Sequence, residues 1–365
     1  MKKIKVLIVD DSALMRRIIS DMVGGEPDME TIGTARNGED LLEKLSGKYS
    51  GENVPDIITL DVEMPKMDGI SALKEMHRRN INIPIIMLSS ISKEGTKLTM
   101  ECLDAGALDF VPKPSGSISL DIDKVKDELI KKIKLSYQIS RQKNQSGPRA
   151  ESTRTTKKVL HDKTDKHLHE VNGSIEAIVI GASTGGPKAL YSVITKLPKN
   201  FGIPTFVVQH MPVGFTKAFS ERLDSNSLQK VVEASDNMKI VPDTIYIAPG
   251  GFHMEVGQDR RVHLNKEPAI WGVRPAVDKL FKSAARVYGG NLISVVLTGM
   301  GRDGADGTAV IKDSGGITIS EDESTCIIYG MPKAAYSTGK VEMVLKLGDI
   351  TDKLVELVSI RRKTL

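Results

Sequence analysis

Short apolar runs rich in Val, Ile and Leu alternate along this chain with segments in which apolar residues recur every three or four positions. The runs do not alternate between apolar and polar residues, which is typical of parallel strands buried on both faces. They predict strands at residues 4–9, 31–35, 57–60, 85–88, 108–111, 175–180, 205–208 and 292–297. Because helical periodicity separates them, the pattern predicts α/β domains built on doubly wound parallel sheets.

The strand and helix pattern is interrupted over residues 139–171, a polar segment with almost no large apolar residues. Such a composition buries too little apolar surface to offset the entropy of ordering. The chain has 365 residues, a length for which two domains are the default expectation. We therefore predict a first domain over residues 1–138, a flexible linker over 139–171 and a second domain over 172–365.

The predicted linker also holds the excess positive charge of the chain. Residues 139–172 contain eight Lys and Arg against four acidic residues, and the difference equals the net charge of +4. A basic segment is compatible with contact to nucleic acid or an acidic partner, but a solvated spacer is the simpler interpretation.

Cysteine content and hydropathy indicate a cytoplasmic protein. Cys102 and Cys326 are the two cysteines, too few for a disulfide framework or a thiolate zinc site. No apolar run approaches the roughly 18 residues of a membrane span. We expect a cytoplasmic location with no insertion into a membrane.

Acidic residues collect at the ends of the strands predicted in the first domain. Asp10 and Asp11 follow the first strand and Asp61 follows the third, while Ser89 and Lys113 come after the fourth and fifth. Because the carboxyl ends of parallel strands meet at one edge of a sheet, the three carboxylates should converge. They would repel one another unless a hard cation joined them, so we predict a Mg²⁺ site there.

The segments VDDSALMR, LDVEMPKMDG and FVPKP, together with the hydroxyl of Ser89, resemble the receiver domain of two-component response regulators. The resemblance covers residues 1 to about 138 and implies a flavodoxin-like fold. It also implies that a chemotaxis histidine kinase phosphorylates this domain. The roles that it implies are Asp61 as phosphoryl acceptor, Asp10, Asp11, Asp61 and the backbone carbonyl of Glu63 as Mg²⁺ ligands, Ser89 and Lys113 as phosphoryl-binding residues, and Phe110 as the switch aromatic.

In the second domain, the segment GASTGGP at residues 181–187 separates a predicted strand from an amphipathic helical pattern. A Walker loop is excluded because Pro187 stands where lysine is required, and the G-x-G-x-x-G of a Rossmann turn is missing. The segment does fit G-x-S-x-G, a sharp turn that exposes the serine hydroxyl. Ser183 is therefore a candidate nucleophile, although serine and glycine also favour plain turns and helix caps.

A serine nucleophile needs a base, which is usually histidine. Four of the seven histidines lie in the first domain or the linker. His263 fits a surface strand, and His253 fits either a strand or a site. His210 follows the strand over 205–208, at the sheet edge where Ser183 emerges, and is the preferred base.

The third member of a triad is sought in LTGMGRDGADG, which follows the strand over 292–297 and carries Asp303 and Asp306. A carboxylate there can orient the imidazole and stabilise its cation. We choose Asp303, because the surrounding glycines let its loop approach the histidine. The resulting order of Ser, His and Asp differs from the Ser, Asp and His order of α/β-hydrolases.

Five segments, GASTGGP, QHMPVGFTKAFSERL, IYIAPGGFHM, WGVRPAVDKLF and LTGMGRDGADG, are similar in order to the catalytic domain of the chemotaxis protein-glutamate methylesterase (CheB) family. The resemblance covers about residues 172–365, implies a three-layer α/β domain and also places the triad on Ser183, His210 and Asp303. The family often has serine at the position of Ala276, which bears only on a substrate contact.

The expected reaction is acyl transfer at a glutamyl γ-methyl ester. Ser183 attacks the carbonyl carbon, His210 passes its proton to the departing methanol, and water hydrolyses the acyl-enzyme without any cofactor. Backbone N–H groups at Thr184 and Gly185, with the loop at Met300, are predicted to form the oxyanion hole. A glutamine side chain passes through the same kind of intermediate, so deamidation is expected as a second activity.

The two resemblances together imply that methyl-accepting chemotaxis receptors are the substrate and that phosphorylation of the receiver activates the enzyme during sensory adaptation. We expect the unphosphorylated receiver to cover the Ser183 edge. Three alternatives stay open. A DNA-binding response regulator is disfavoured because no basic helix-turn-helix pattern follows the receiver, so no nucleic acid is expected. The others are a non-catalytic receptor adaptor and a hydrolase of small esters.

Overall fold

The computed structural model describes residues 3–49, 51–114, 122–145 and 174–362. The chain divides into two compact units, residues 1–147 and 148–365. Among the described residues, no helix combines the length and the apolar character needed to cross a membrane.

The first unit contains a parallel sheet of five strands in the order β2-β1-β3-β4-β5, which is the flavodoxin-like order. Its strands are β1 (Ile4–Val9), β2 (Met29–Ala35), β3 (Ile57–Asp61), β4 (Ile85–Ser89) and β5 (Asp109–Pro112). Its helices are α1 (Ala13–Gly24), α2 (Gly38–Ser46), α3 (Gly69–Arg78), α4 (Lys93–Asp104) and α5 (Ile122–Gln145), with a short 3₁₀ turn at Gly51–Asn53.

Local sequence explains where these helices begin. The first four follow a polar residue whose side chain accepts a backbone N–H of the first turn, which satisfies a donor that has no partner inside the helix. These capping residues are Ser12, Asn37, Asp68 and Ser92. Apolar residues of the central strands and of one face of α1 and α5 form the buried core.

The second unit contains a seven-stranded parallel sheet in the order β15-β14-β13-β6-β7-β10-β8 and a three-stranded antiparallel sheet in the order β11-β12-β9. Its strands are β6 (Ala177–Ala182), β7 (Thr205–Gln209), β8 (Lys230–Glu233), β9 (Met238–Lys239), β10 (Thr244–Ile247), β11 (His253–Val256), β12 (Arg261–Asn265), β13 (Leu292–Val296), β14 (Ile317–Glu321) and β15 (Met343–Leu345). Its helices are α6 (Gly186–Ile194), α7 (Phe215–Asn226), α8 (Val277–Tyr288), α9 (Ala305–Asp313), α10 (Met331–Ser337) and α11 (Leu347–Arg362).

The α/β architecture predicted from the pattern is confirmed, with differences in detail. Strand β6 runs two residues further than predicted, so that Gly181 and Ala182 belong to the strand and the turn begins at Ser183. The antiparallel sheet and several strands of two to five residues were not predicted. Several of these segments are only two to four residues long or carry polar residues among the apolar ones, so no continuous apolar run marks them.

The last helix of the first unit is longer than the sequence pattern indicated. Helix α5 extends to Gln145, past the predicted boundary at residue 138. Its last turns are polar but rich in Lys, Gln and Arg, which are good helix formers, so polarity alone did not mark the helix end. The remainder of the predicted linker, residues 146–171, lies outside the described residues.

Candidate functional site

Ser183 is the first residue after β6, and its backbone is held on both sides. Its N–H donates to the carbonyl of Thr298 at 3.1 Å. Its carbonyl accepts the N–H of Gly186 at 2.7 Å and the side-chain amide of Gln209 at 2.9 Å. Gly185 has φ +77°, a conformation that favours glycine, and lets the chain turn directly into α6. The turn therefore presents a partly exposed serine at a fixed backbone position.

His210 is placed beside Ser183 by strand register. Ala182 of β6 pairs with Gln209 of β7, so the residue after each partner emerges at the same sheet edge. The N–H of His210 donates to the carbonyl of Ala182 at 3.0 Å. Within the described residues, the Ser183 hydroxyl makes no hydrogen bond to His210. Such bonds are often loose in free enzymes and tighten when substrate binds.

Asp303 and His210 are in direct contact, with 2.8 Å between Asp303 Oδ2 and His210 Nε2. Asp303 also accepts the N–H groups of Val277 at 2.6 Å and Asp278 at 2.9 Å, at the start of α8. Burial raises the pKa of Asp303, but these hydrogen bonds and the charge of the imidazole outweigh burial and lower the pKa below its usual range. Asp303 is therefore held as an anion behind the histidine.

The other candidate acid is placed differently. Asp306 lies in the first turn of α9, is half-buried, and pairs with Arg302 at 3.1 Å. The geometry brings Asp303, not Asp306, to the histidine.

The predicted oxyanion groups surround the same serine. Gly299, next to Met300, lies so close that a Cβ added to it would be 2.8 Å from Ser183 Cβ. In the part of the chain that the structure describes, the backbone N–H groups of Thr184, Gly185 and Met300 donate to no other protein group. These groups are therefore candidate donors to an oxyanion formed near Ser183.

The first unit gathers its acidic residues as predicted. Carboxylate oxygens of Asp10, Asp11 and Asp61 lie within 4.8 Å of one another. Lys113 Nζ is 2.8 Å from Asp10 Oδ2 and 2.7 Å from Asp61 Oδ2, and the N–H of Glu63 donates to Asp61 Oδ1 at 3.3 Å. Burial raises the pKa of Asp61 to about 6, although Lys113 opposes the rise. The three carboxylates supply oxygen ligands, and their negative charge exceeds the positive charge of the one ammonium group. Both properties suit a divalent cation that prefers oxygen ligands.

Two family models match the chain. Residues 178–354 match the CheB methylesterase and residues 6–122 match the response regulator receiver domain. A protein-glutamate methylesterase/protein-glutamine glutaminase of Clostridium acetobutylicum is 53% identical over 358 residues, which cover 98% of this chain and 99% of the relative. This chain belongs to the protein-glutamate methylesterase/protein-glutamine glutaminase family. The family and the enzyme class predicted from the sequence are confirmed.

Other relatives extend to distant organisms. A protein of the same name from Pyrococcus horikoshii is 43% identical over 364 residues, covering 99% of this chain and 95% of the relative. The crystal structure of the Thermotoga maritima CheB methylesterase catalytic domain is 47% identical, with a TM-score of 0.49, and covers 52% of this chain and 100% of that chain.

Two further receiver residues with predicted roles are Ser89 and Phe110. The Ser89 hydroxyl donates to the carbonyl of Gly95 at 3.1 Å, on α4, and within the described residues it does not bond to Asp61. Phe110 is buried, with Lys132 Nζ 5.3 Å from its ring centroid. Their roles in phosphoryl binding and switching stay predictions.

The two histidines that were set aside have structural roles. His253 is fully buried on β11, where its Nδ1 accepts the N–H of Ala276 at 3.2 Å and its Nε2 is 3.1 Å from the carbonyl of Pro268. His263 lies on β12, as predicted, and contacts Asp259 near the surface.

Sequence reasoning missed two buried acids that support the site. Asp278 lies in the first turn of α8, and its carboxylate binds the backbone at the start of α9. An aspartate early in a helix after a proline is a recognisable capping signal, although its partner is not. Glu321 ends β14 and accepts the N–H of Thr298 at 2.8 Å, which places it behind the carbonyl that binds Ser183. Its strand was not predicted, so no signal pointed to it.

Proposed function

We propose that this chain hydrolyses glutamyl γ-methyl esters of methyl-accepting chemotaxis receptors and deamidates their glutamines, with Ser183, His210 and Asp303 as a catalytic triad. The observation that carries the proposal is the 2.8 Å contact between His210 and Asp303 at the sheet edge from which Ser183 emerges. The relative with 53% identity carries both activities in its name.

The contact with Asp303 supports a different role for each ring nitrogen of the base. Asp303 occupies Nε2 of His210, which leaves Nδ1 to accept the proton of the Ser183 hydroxyl. The serine oxygen bonds to the ester carbon, and the resulting oxyanion takes hydrogen bonds from the free N–H groups at Thr184, Gly185 and Met300. The protonated imidazole then gives its proton to the methanol oxygen as the C–O bond breaks.

The second half of the reaction repeats these steps with water. His210 removes a proton from water, the hydroxide attacks the acyl-enzyme, and the proton returns to Ser183 as glutamate leaves. A glutamine substrate follows the same path, with ammonia as the leaving group. The chemistry uses only side chains and backbone N–H groups of this domain.

Regulation is proposed to start at Asp61. A chemotaxis histidine kinase would supply the phosphoryl group to its carboxylate, with Asp10, Asp11, Asp61 and the backbone carbonyl of Glu63 holding Mg²⁺. The bound Mg²⁺ would offset the negative charge of the phosphoryl oxygens. Lys113, which already contacts Asp10 and Asp61, supplies a second positive charge at that point. Phosphorylation would then raise methylesterase activity and so contribute to sensory adaptation.

The test is release of labelled methanol from methylated receptor cytoplasmic fragments, with and without a small-molecule phosphodonor and Mg²⁺. We expect release by the wild type, a rise with phosphodonor, and loss in Ser183→Ala. Ser225→Ala is the matched control, because that hydroxyl lies on α7 and, among the described residues, bonds within its own helix to the carbonyl of Glu221.

Each arm has an outcome that contradicts the proposal. Methanol release that persists in Ser183→Ala would contradict the assignment of the triad. If the wild type releases no methanol, the alternative of a non-catalytic receptor-binding adaptor is favoured. Faster turnover of free methyl esters than of receptor esters indicates a general esterase. A chain lacking residues 1–145 that is no faster than the unphosphorylated full chain contradicts inhibition by the receiver.

A further inference from the structure

The geometry points to Asp278 as a positioning residue for the triad, one that ties the exposed indole of Trp271 to the loop of Asp303. The inference rests on the proposed function. It concerns a side chain that has no contact with the nucleophile and acts only through Asp303.

The carboxylates of Asp278 and Asp303 each accept backbone N–H groups at or near the other residue. The N–H of Asp278 donates to Asp303 Oδ1 at 2.9 Å. In return, Asp278 Oδ1 accepts the N–H of Gly304, the residue after Asp303, at 3.1 Å and that of Gly307 at 2.7 Å. The two acids thus close a ring of hydrogen bonds that includes the backbone of both helix starts.

Each acid also replaces a missing helix cap. Helix α8 begins after Ala276 and α9 begins after Gly304, and neither residue supplies a side-chain cap. Asp303 caps α8 while Asp278 caps α9, and both carboxylates are buried. Because unsatisfied N–H groups at a buried helix start cost free energy, the two caps hold both helices and both acids in one arrangement.

Close packing leaves this arrangement little freedom. A Cβ added to Gly304 would be 2.9 Å from Val277 Cγ1, and one added to Gly307 would be 2.5 Å from Phe281 Cβ. The starts of α8 and α9 therefore approach at backbone distance. A displacement of the Asp278 carboxylate is passed on to Asp303 rather than absorbed by space around it.

Trp271 connects this ring to the protein surface. Its indole Nε1 donates to Asp278 Oδ2 at 3.0 Å, although the residue is 51% exposed. The guanidinium of Arg302, which precedes Asp303, lies 4.5 Å from the centroid of the same indole. One exposed ring therefore contacts both the residue before the catalytic acid and the residue that positions it.

The hydrogen-bond donors around Asp278 allow its positioning role to be tested with a pair of substitutions. Two oxygens of Asp278 accept three N–H groups, from Gly304, Gly307 and Trp271. Asp278→Asn keeps one acceptor oxygen for the glycines and turns an NH₂ group toward the indole N–H, so that two donors face each other. Trp271→Phe removes the opposing donor, and the double variant should recover part of what Asp278→Asn loses.

The experiment measures kcat, KM and the pH profile of kcat/KM with methylated receptor fragments for wild type, the two single variants and the double variant. We expect kcat of Asp278→Asn to fall by about tenfold to a hundredfold, as for a small misplacement of a catalytic group, with little change in KM. The acid limb of the profile should move to lower pH, because a misplaced Asp303 stabilises the protonated imidazole less. In Trp271→Phe/Asp278→Asn, kcat should rise again by several-fold.

Asp224→Asn is the matched control. That carboxylate also accepts a backbone N–H, from Val231 at 2.8 Å, but it lies beside β8, the strand at the edge of the sheet farthest from β14 and β15. Melting temperatures of all variants separate lost folding from lost activity. Asp224→Asn should change melting temperature without changing kcat.

A second readout does not depend on turnover. The downfield proton resonance of the imidazole N–H bonded to Asp303 should shift or broaden in Asp278→Asn and return toward its position in the double variant. An unchanged resonance, an unchanged kcat and pH profile, or no recovery in the double variant overturns the inference. An inactive wild type whose resonance still responds to Asp278→Asn overturns only the proposed function.

Discussion

Asp61 in the first domain and Asp303 in the second are equally buried, each 2% exposed, yet their pKa values are displaced in opposite directions. The carboxylate of Asp61 has one backbone N–H at 3.3 Å and Lys113 at 2.7 Å, and it shares its surroundings with Asp10. Burial raises its pKa to about 6. Asp303 has two backbone N–H groups and the imidazole of His210, and its pKa is lowered.

At equal exposure, the direction of the pKa shift of these two acids therefore depends on how far hydrogen-bond donors and charged partners offset burial. The imidazole of His210 and the two N–H groups at the start of α8 together stabilise the anion of Asp303, so Asp303 stays charged and can hold an imidazolium. Asp61 faces other carboxylates, and its charge depends on which cation comes to the cluster. Asp303 is a fixed anion, whereas the Asp61 site is suited to reactions that change its charge, such as metal binding or phosphorylation.

Glu321 is an intermediate case between these two. It is fully buried and has one backbone donor, the N–H of Thr298, and one hydroxyl donor, Thr325. Burial raises the pKa of Glu321, and these hydrogen bonds do not fully offset that rise. On this comparison, a neutral amide in place of Glu321 or Asp61 should leave the domain folded without Mg²⁺, whereas an amide in place of Asp303 should fail to stabilise the imidazolium of His210.

The largest effect is expected from Asp303→Asn. The variant keeps the size of the side chain but loses the anion that orients and stabilises the imidazole, so kcat should fall by roughly ten-thousandfold. Asp306→Asn is the control, since among the described residues that half-buried neighbour forms an ion pair with Arg302 and not with His210. Methanol release from receptor fragments measures both, and an Asp303→Asn enzyme within tenfold of wild type contradicts the assignment.

Asp61→Asn should stabilise the first domain without Mg²⁺. Because the folded-state pKa of about 6 lies above the usual 3.8, folding takes up a proton between these values and stability falls as pH rises through that window. The amide avoids this cost, which is at most about 3 kcal/mol. Melting temperatures in EDTA should show a gain at pH 7 that disappears near pH 4. A gain that is equal at both pH values would show that ionisation is not its cause.

The smallest effect is expected at Glu321. Glu321→Gln keeps an acceptor for Thr298 and should retain kcat within a few-fold, whereas Glu321→Ala should lower kcat by about tenfold, because the carbonyl that holds Ser183 loses its support. The pair is compared in the methanol assay together with melting temperatures. Equal losses in both variants would mean that the negative charge itself is needed there.

The strand ends of both domains could be predicted because they follow from chain order alone. Parallel strands place their carboxyl ends at one edge, so Asp10, Asp11 and Asp61 converge without any knowledge of side-chain packing. The same rule brought Ser183 and His210 together through the pairing of Ala182 with Gln209. Strands such as β9 and β14 and the end of α5 at Gln145 were not predicted. Their residues are few or partly polar, so no continuous hydrophobic pattern marks them.

The sequence by itself determined the fold class, the family and the residue types at the sheet edges, since periodicity and motif order are local properties of the chain. Only the tertiary structure decided which donors surround each acid. Asp278 and Asp303 are 25 residues apart in sequence, and they meet because α8 and α9 pack with their first turns in contact. Hydrogen bonds to a carboxylate act over about 3 Å, so charge and pKa are set by that packing and not by the sequence around either residue.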